Sequence, residues 1–190
     1  MSRKSTKEPY QIDLREQLLV KRCLDQDPRA QQELYDRYKD AMYTLAYRIT
    51  ADEDLAADVL QEAFLGVFRG LHNFQHRSAL GAWIKSILVR TAYKKLRKET
   101  KMQPLDDAHT QEWIDWGNHL DEEYLEQAIQ ALPDGYRSVF ILIEIEGYAH
   151  KEVAEMMNIS IGTSKSQLFY AKKWLRKRIT HLEMQYERTQ

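Results

Sequence analysis

Apolar residues recur at every third or fourth position along most of this chain, and that spacing dictates helices. A strand burying one face needs strict alternation, which no stretch here sustains. Breakers are scarce, with seven Gly and four Pro among 190 residues. The expected fold is therefore all-α. A first helix is expected from about Gln11 to Gln26. Asp27 and Pro28 then supply an N-cap and a first helical residue for a second, from about Arg29 to Ile49. Thr50 or Asp52 caps a third, reaching about Leu71, and after a polar loop a fourth runs from about Ala79 to Lys98. Met102 to Asp134 differs, with nine acidic residues and no Lys or Arg; Pro104 and Gly117 mark its first half as a linker. Helices resume near Asp121, with a break at Leu132-Pro133 and short connections at Gly147 and Asn158-Ile159-Ser160. The expected organisation is a helical domain over 11–100, an acidic linker over 101–120 and a second helical domain over 121–184.

Several function classes drop out early. No apolar run approaches the roughly 18 to 20 residues a bilayer span needs, so membrane insertion is not expected. The segment from Met1 to Gln17 has basic residues but no apolar core of a secretory signal, so the chain is expected to stay in the cytoplasm. Cys23 is the single cysteine, so an internal disulfide is impossible. The six His (His72, His76, His109, His119, His150, His181) are scattered without nucleophile or ligand spacing, and neither a metal nor a cofactor is expected. An enzyme is not expected either.

A formal net charge of −1 hides strong segregation. Between Arg77 and Lys101 stand eight basic residues against one acidic, Glu99; between Ser160 and Leu182 stand six against none. One basic helix in each half, with the acid between them, fits polyanion binding by both halves, because every neutralised phosphate releases condensed counterions. Two solvated helix faces are the plainer alternative.

The second half sharpens the reading. Val153, Ala154 and Met157 form an apolar stripe on a short helix, Asn158-Ile159-Ser160 makes a tight turn, and Ser160 is placed to cap the next helix. That is helix-turn-helix spacing. On the second helix Leu168, Ala171, Leu175 and Ile179 are expected to face the core, while Lys165, Ser166, Phe169, Tyr170, Lys172 and Lys173 occupy the opposite face. Short polar and long basic side chains from Thr163 to Tyr170 suit the first turns of a helix entering a major groove. Trp174 is expected to pack.

With these motifs in place, the chain resembles the extracytoplasmic-function group of bacterial RNA polymerase sigma factors. The run LPDGYRSVFILIEIEGYAHKEVAEMMNISIGTSKSQLFYAKKWL resembles sigma region 4, and ADEDLAADVLQEAFLGVFRGLHNFQHRSALGAWIKSILVRTAYKKLRK resembles region 2. The resemblance implies a subunit that binds core polymerase and directs promoter-specific initiation without covalent chemistry. It assigns Asp54, Asp58, Gln61 and Glu62 to docking on the clamp coiled coil of the largest polymerase subunit. It assigns His72, Asn73, Phe74, Arg77, Arg90, Lys94, Arg97 and Lys98 to opening the −10 element and holding the displaced strand, Phe74 supplying an aromatic surface for an unstacked base. Trp83 is expected in the core. Thr163, Lys165, Ser166, Gln167, Phe169, Tyr170, Lys172 and Lys173 are assigned to −35 duplex.

Departures from the family pattern accompany the match. Arg90 stands where Asn is usual and Lys94 where Asp or Asn is common, while Gln167 and Tyr170 stand where Arg is common. The acidic linker is expected to thread the polymerase interior, the two domains to close on each other when free, and an anti-sigma factor to be a possible partner. A dimeric helix-turn-helix repressor acting without polymerase is the principal alternative; it explains only the second half. An adaptor binding only protein leaves both basic helices unexplained.

Overall fold

The computed structural model describes residues 13–99 and 122–187, with side chains described over 13–98 and 125–178. The expected linker over 101–120 and the start of the first helix lie outside the described residues, as does the side chain of Ile179. Eight α-helices are described: α1 Leu14–Leu24, α2 Pro28–Thr50, α3 Glu53–Gly70, α4 Leu80–Glu99, α5 Glu122–Gln130, α6 Asp134–Phe140, α7 His150–Met157 and α8 Ile161–Glu187. There is no strand among the described residues.

The helix starts are written in acidic and hydroxyl side chains. The Asp13 carboxylate accepts the Arg15 N–H at 2.9 Å, and Asp27 accepts the Arg29 N–H at 2.9 Å with Pro28 in the first helical position. Arg22 donates to Asp27 from both Nε (3.0 Å) and Nη2 (2.8 Å), which holds the Asp27 carboxyl below the usual carboxylate range. Asp52 caps α3 by accepting the Leu55 N–H at 2.8 Å; Thr50 instead donates back to the Ala46 carbonyl at 2.9 Å. One helix start is capped from far away. The buried carboxylate of Glu16, on α1, accepts the Leu80 N–H at 3.0 Å, so it places negative charge at the positive end of α4.

In the first half α2, α3 and α4 pack on one another and α1 lies against α2. Leu34, Ile49, Val59, Leu80, Ile84 and Leu88 are fully buried there. Each contributes on the order of 1.5–3 kcal/mol by leaving water.

In the second half α6 and α7 pack on α8 around Leu142, Val153, Met157, Ala171 and Leu175. α6 runs into a wider π turn over Ile141–Ile145, and the chain then reverses at Gly147, whose φ of +75° favours glycine. Asn158 takes the left-handed conformation that ends α7 (φ 52°), and the Ser160 hydroxyl accepts the Thr163 N–H at 2.8 Å to start α8.

The two halves are packed together. α6 lies on α2 and α7 lies on α4, and the buried residues of both halves form one continuous cluster. Arg137 on α6 joins them. Its Nε donates to the Ile49 carbonyl (2.9 Å) and its Nη2 to the Thr50 carbonyl (2.9 Å), satisfying acceptors at the end of α2. It also donates to the carbonyls of Gln130 (3.0 Å) and Leu132 (2.7 Å) and to the Asp134 carboxylate (2.7 Å). Lys85 of α4 pairs with Glu146, and Arg48 of α2 lies 3.8 Å from Glu126 of α5.

Candidate nucleic-acid interface

On α4 the inward stripe of Leu80, Ile84, Leu88, Ala92 and Leu96 leaves Arg90, Lys94, Arg97 and Lys98 exposed on one outer face, at spacings of four, seven and eight. Every phosphate-reaching residue expected on this helix is thus brought together. Arg97 lies over the Tyr93 ring, 6.0 Å from its centroid. His72 and Asn73, in a single 3-10 turn over Leu71–Asn73, and Arg77 are exposed beside this helix's start.

Phe74 corrects the sequence reading. It is only 8% exposed, with its ring 5.3 Å from that of Trp83 and 4.6 Å from His76. Packing against Trp83 removes the ring from water and leaves it no open face for a base in this conformation. Trp83 lies against the core as expected.

The α8 interface needs a similar correction. Leu168, Ala171 and Leu175 face inward as expected, but Ser164 and Gln167 join that stripe and Ser166 is also buried. Ser166 donates to the Thr163 carbonyl at 3.1 Å, so its short side chain folds back on its own helix. The Gln167 Oε1 is buried without a hydrogen-bond partner. Neither side chain faces outward as the sequence reading requires. Lys165 and Lys173 are exposed, Thr163 and Phe169 are half-buried, and Lys172 is ion-paired with Glu144 at 2.9 Å. Tyr170 is half-buried and stacks on Tyr136 of α6, centroids 5.9 Å apart and rings 22° from parallel. Trp174 packs against the core, with Arg178 over its ring.

Arg176 is exposed and was missed as a site residue. Its signal was available: it lies eleven positions after Lys165, three turns along the same face.

The start of α8 is braced from behind. His150, the first residue of α7, lies with Nδ1 2.9 Å from the Ser164 hydroxyl. Burial, reinforced by Lys165 and Lys172 and opposed by Glu144, pushes the imidazole pKa down from its ordinary value. The neutral form is favoured, and it leaves the positive charge at the helix start to Lys165.

A separate acidic face lies on α3. Asp54, Asp58 and Gln61 are exposed at spacings of four and seven, and Glu62 is half-buried at their edge. Lys95 of α4 reaches Glu62 at 3.2 Å and Asp58 at 3.8 Å. The stripe continues to Leu65, which is 55% exposed. Leu65 was not among the residues assigned to this face from the sequence; its position eleven after Asp54 places it there.

Comparison with known proteins follows the same division. The Sigma-70 region 2 family model matches residues 34–102 and the Sigma-70 region 4 model matches residues 122–175. The chain is 31% identical over 175 residues to the ECF RNA polymerase sigma-E factor of Escherichia coli, a match covering 84% of this chain and 91% of the relative. It is 30% identical over 183 residues to the RNA polymerase sigma-H factor of Pseudomonas aeruginosa, covering 88% and 95%. Among solved structures it resembles the sigma factor RpoE in complex with the anti-sigma factor NepR from Bartonella quintana, with a TM-score of 0.55 and 22% identity over 78% of this chain and 96% of that one.

Proposed function

Because the chain belongs to the sigma-70 family of RNA polymerase sigma factors, in its ECF group, we propose that its three outer faces divide the work of one promoter. The α4 face, Arg90, Lys94, Arg97 and Lys98 with His72, Asn73 and Arg77 beside it, holds the displaced −10 strand. The α8 face, Lys165, Phe169, Lys172, Lys173 and Arg176, grips −35 duplex with Thr163 and Tyr170 at its edges. The acidic α3 face, Asp54, Asp58, Gln61, Glu62 and Leu65, docks on the clamp coiled coil of core polymerase. The observation that carries this assignment is the separation of two cationic helix faces, one in each matched region, from an acidic face on α3 that ends at the exposed Leu65.

The chemistry suits each partner. Phosphate contacts give affinity and orientation through counterion release, and acidic complementarity towards a basic coiled coil favours association rate and register. Covalent catalysis has no part in it. A subunit of this kind works where polymerase works, in the cytoplasm, and no described helix is long and apolar enough to cross a membrane. The dimeric-repressor alternative leaves the region 2 match without a use.

Closure of the two halves has a consequence for promoter binding. The −35 and −10 elements lie roughly 25 base pairs apart, or about 85 Å of duplex at about 3.4 Å per pair. A compact chain of this length has a radius of gyration of roughly 16 Å. The closed form cannot grip both elements, so promoter engagement requires α6 and α7 to part from α2 and α4, releasing Arg137 from Ile49 and Thr50. An anti-sigma partner that held this seam shut would silence the chain, in keeping with the anti-sigma complex of its structural relative.

The deciding experiment is run-off transcription with purified core polymerase on genomic fragments. Discrete start sites sharing upstream motifs are expected; transcription indistinguishable from core enzyme alone refutes the assignment.

A further inference from the structure

Closure creates a crevice that neither half contains alone. One wall is α4, with Arg90, Tyr93, Lys94, Arg97 and Lys98; the other is the end of α7 and its turn, with Glu155, Met156, Met157 and Asn158. Its volume is about 460 Å³, within the range of small-molecule sites, roughly 300–1,000 Å³. Arg90, Lys94, Arg97 and Lys98 form no ion pair with any described carboxylate, and Glu155 is the one acid among the lining residues. Four cations converging on a partly enclosed space repel one another, and their fields reinforce at its centre.

We propose that this crevice is a binding site for a small oligophosphate, which bridges α4 to the α7 turn. Three or more phosphate charges match the four cations, and the apolar Met156 and Met157 wall limits water on the far side. Occupancy holds α7 on α4, favours the closed form and covers the cationic α4 face. The inference rests on the packing of α4 against α7 and stands or falls independently of which promoter the chain reads.

Inorganic tripolyphosphate is the probe, titrated into the full-length chain by calorimetry, with sodium sulfate at equal ionic strength as control. The far wall supplies the discriminating variants. Asn158→Asp keeps the side-chain shape and tolerates the left-handed backbone, but adds a negative charge facing the ligand. It should weaken tripolyphosphate binding about fivefold, the effect of one unit charge near contact distance in water, while Glu155→Gln should tighten it by a similar factor. Both should bind a −10 single strand as the parent does, and tripolyphosphate should compete with that strand in the parent. Unchanged circular dichroism and thermal midpoint establish that the variants fold. Equal tripolyphosphate affinity in parent, Asn158→Asp and Glu155→Gln means the anion rests on the α4 face alone and overturns the proposal. Binding no stronger than sulfate overturns it as well.

Discussion

The Nε of Arg137 donates to the carbonyl oxygen of Ile49 at 2.9 Å, across 88 residues of sequence. Ile49 is the penultimate residue of α2, so its carbonyl has no partner within the helix, and a side chain from the other half supplies one. Burial lowers the pKa of this guanidinium, yet it remains charged at any ordinary pH because an arginine titrates so far up. Arg137→Met should therefore remove several charge-assisted bonds and leave buried carbonyls unpaired. Urea unfolding should show a loss of about 2–3 kcal/mol. Small-angle scattering of the native variant should give a radius of gyration above the roughly 16 Å of a compact chain, reporting partial opening. An unchanged radius and midpoint would show that Arg137 does not join the halves.

Lys85 and Glu146 form the second tie, at a site where both side chains are mostly buried. Lys85→Glu and Glu146→Lys should each destabilise, and the double exchange should recover a coupling of about 1 kcal/mol in a double-mutant cycle. Additive effects would mean that the pair exerts no hold.

Salt dependence separates the two DNA faces. Arg90→Ala with Lys94→Ala should reduce the slope of log affinity against log salt for a −10 single strand by about 1.4, near 0.7 per lost contact. Lys165→Ala with Arg176→Ala should reduce the slope for −35 duplex by about 1.8, near 0.9 per contact. Each pair should leave the other slope unchanged. A shift in both slopes from either pair would point to a fold defect.

The α3 face should answer only to polymerase. Asp58→Ala and Leu65→Ser alter exposed positions, so thermal stability should stay within about 0.5 kcal/mol of the parent. Binding to core polymerase, measured by competition, should fall about tenfold for each, about 1.4 kcal/mol. Normal polymerase affinity in both would remove this face from the interface.

His150 makes stability depend on pH in a determined direction. Its folded pKa lies below the ordinary imidazole value of about 6.5, so the unfolded chain binds more protons through that window. The contribution is fully present above about pH 6.5 and is lost as pH falls through the lowered folded value. Asn places a polar atom near the Nδ1 position without titrating. His150→Asn should flatten the fall in unfolding free energy between about pH 7.5 and 5.5, and an unaltered slope would assign the fall to other groups.

Much of this molecule was readable before any coordinates. Asp27-Pro28, Asp52 and Ser160 announce helix starts because a capping carboxylate or hydroxyl serves an amide two or three residues away, and such contacts are local. The same holds for the cationic faces: Arg90, Lys94, Arg97 and Lys98 share a side of α4 by helical geometry alone. Ser166 was misplaced because periodicity ranks the faces of a helix but does not say how far it is rotated against its neighbours; Phe74 and Gln167 were assigned by family resemblance, which does not report burial. The rotation of α8 buries Gln167, and the approach of Trp83 closes over Phe74.

Sequence by itself determined the helical course of the described residues, the caps at Asp27 and Ser160 and the allotment of charge to α3, α4 and α8, since each follows from interactions spanning a few residues. Tertiary structure alone decided that Arg137 ends α2, that Glu16 caps α4 and that the α4 cations face the α7 turn. Those contacts join groups separated by tens of residues, and in the first two the partners are backbone atoms that every residue carries, so no side-chain pattern marks them in advance.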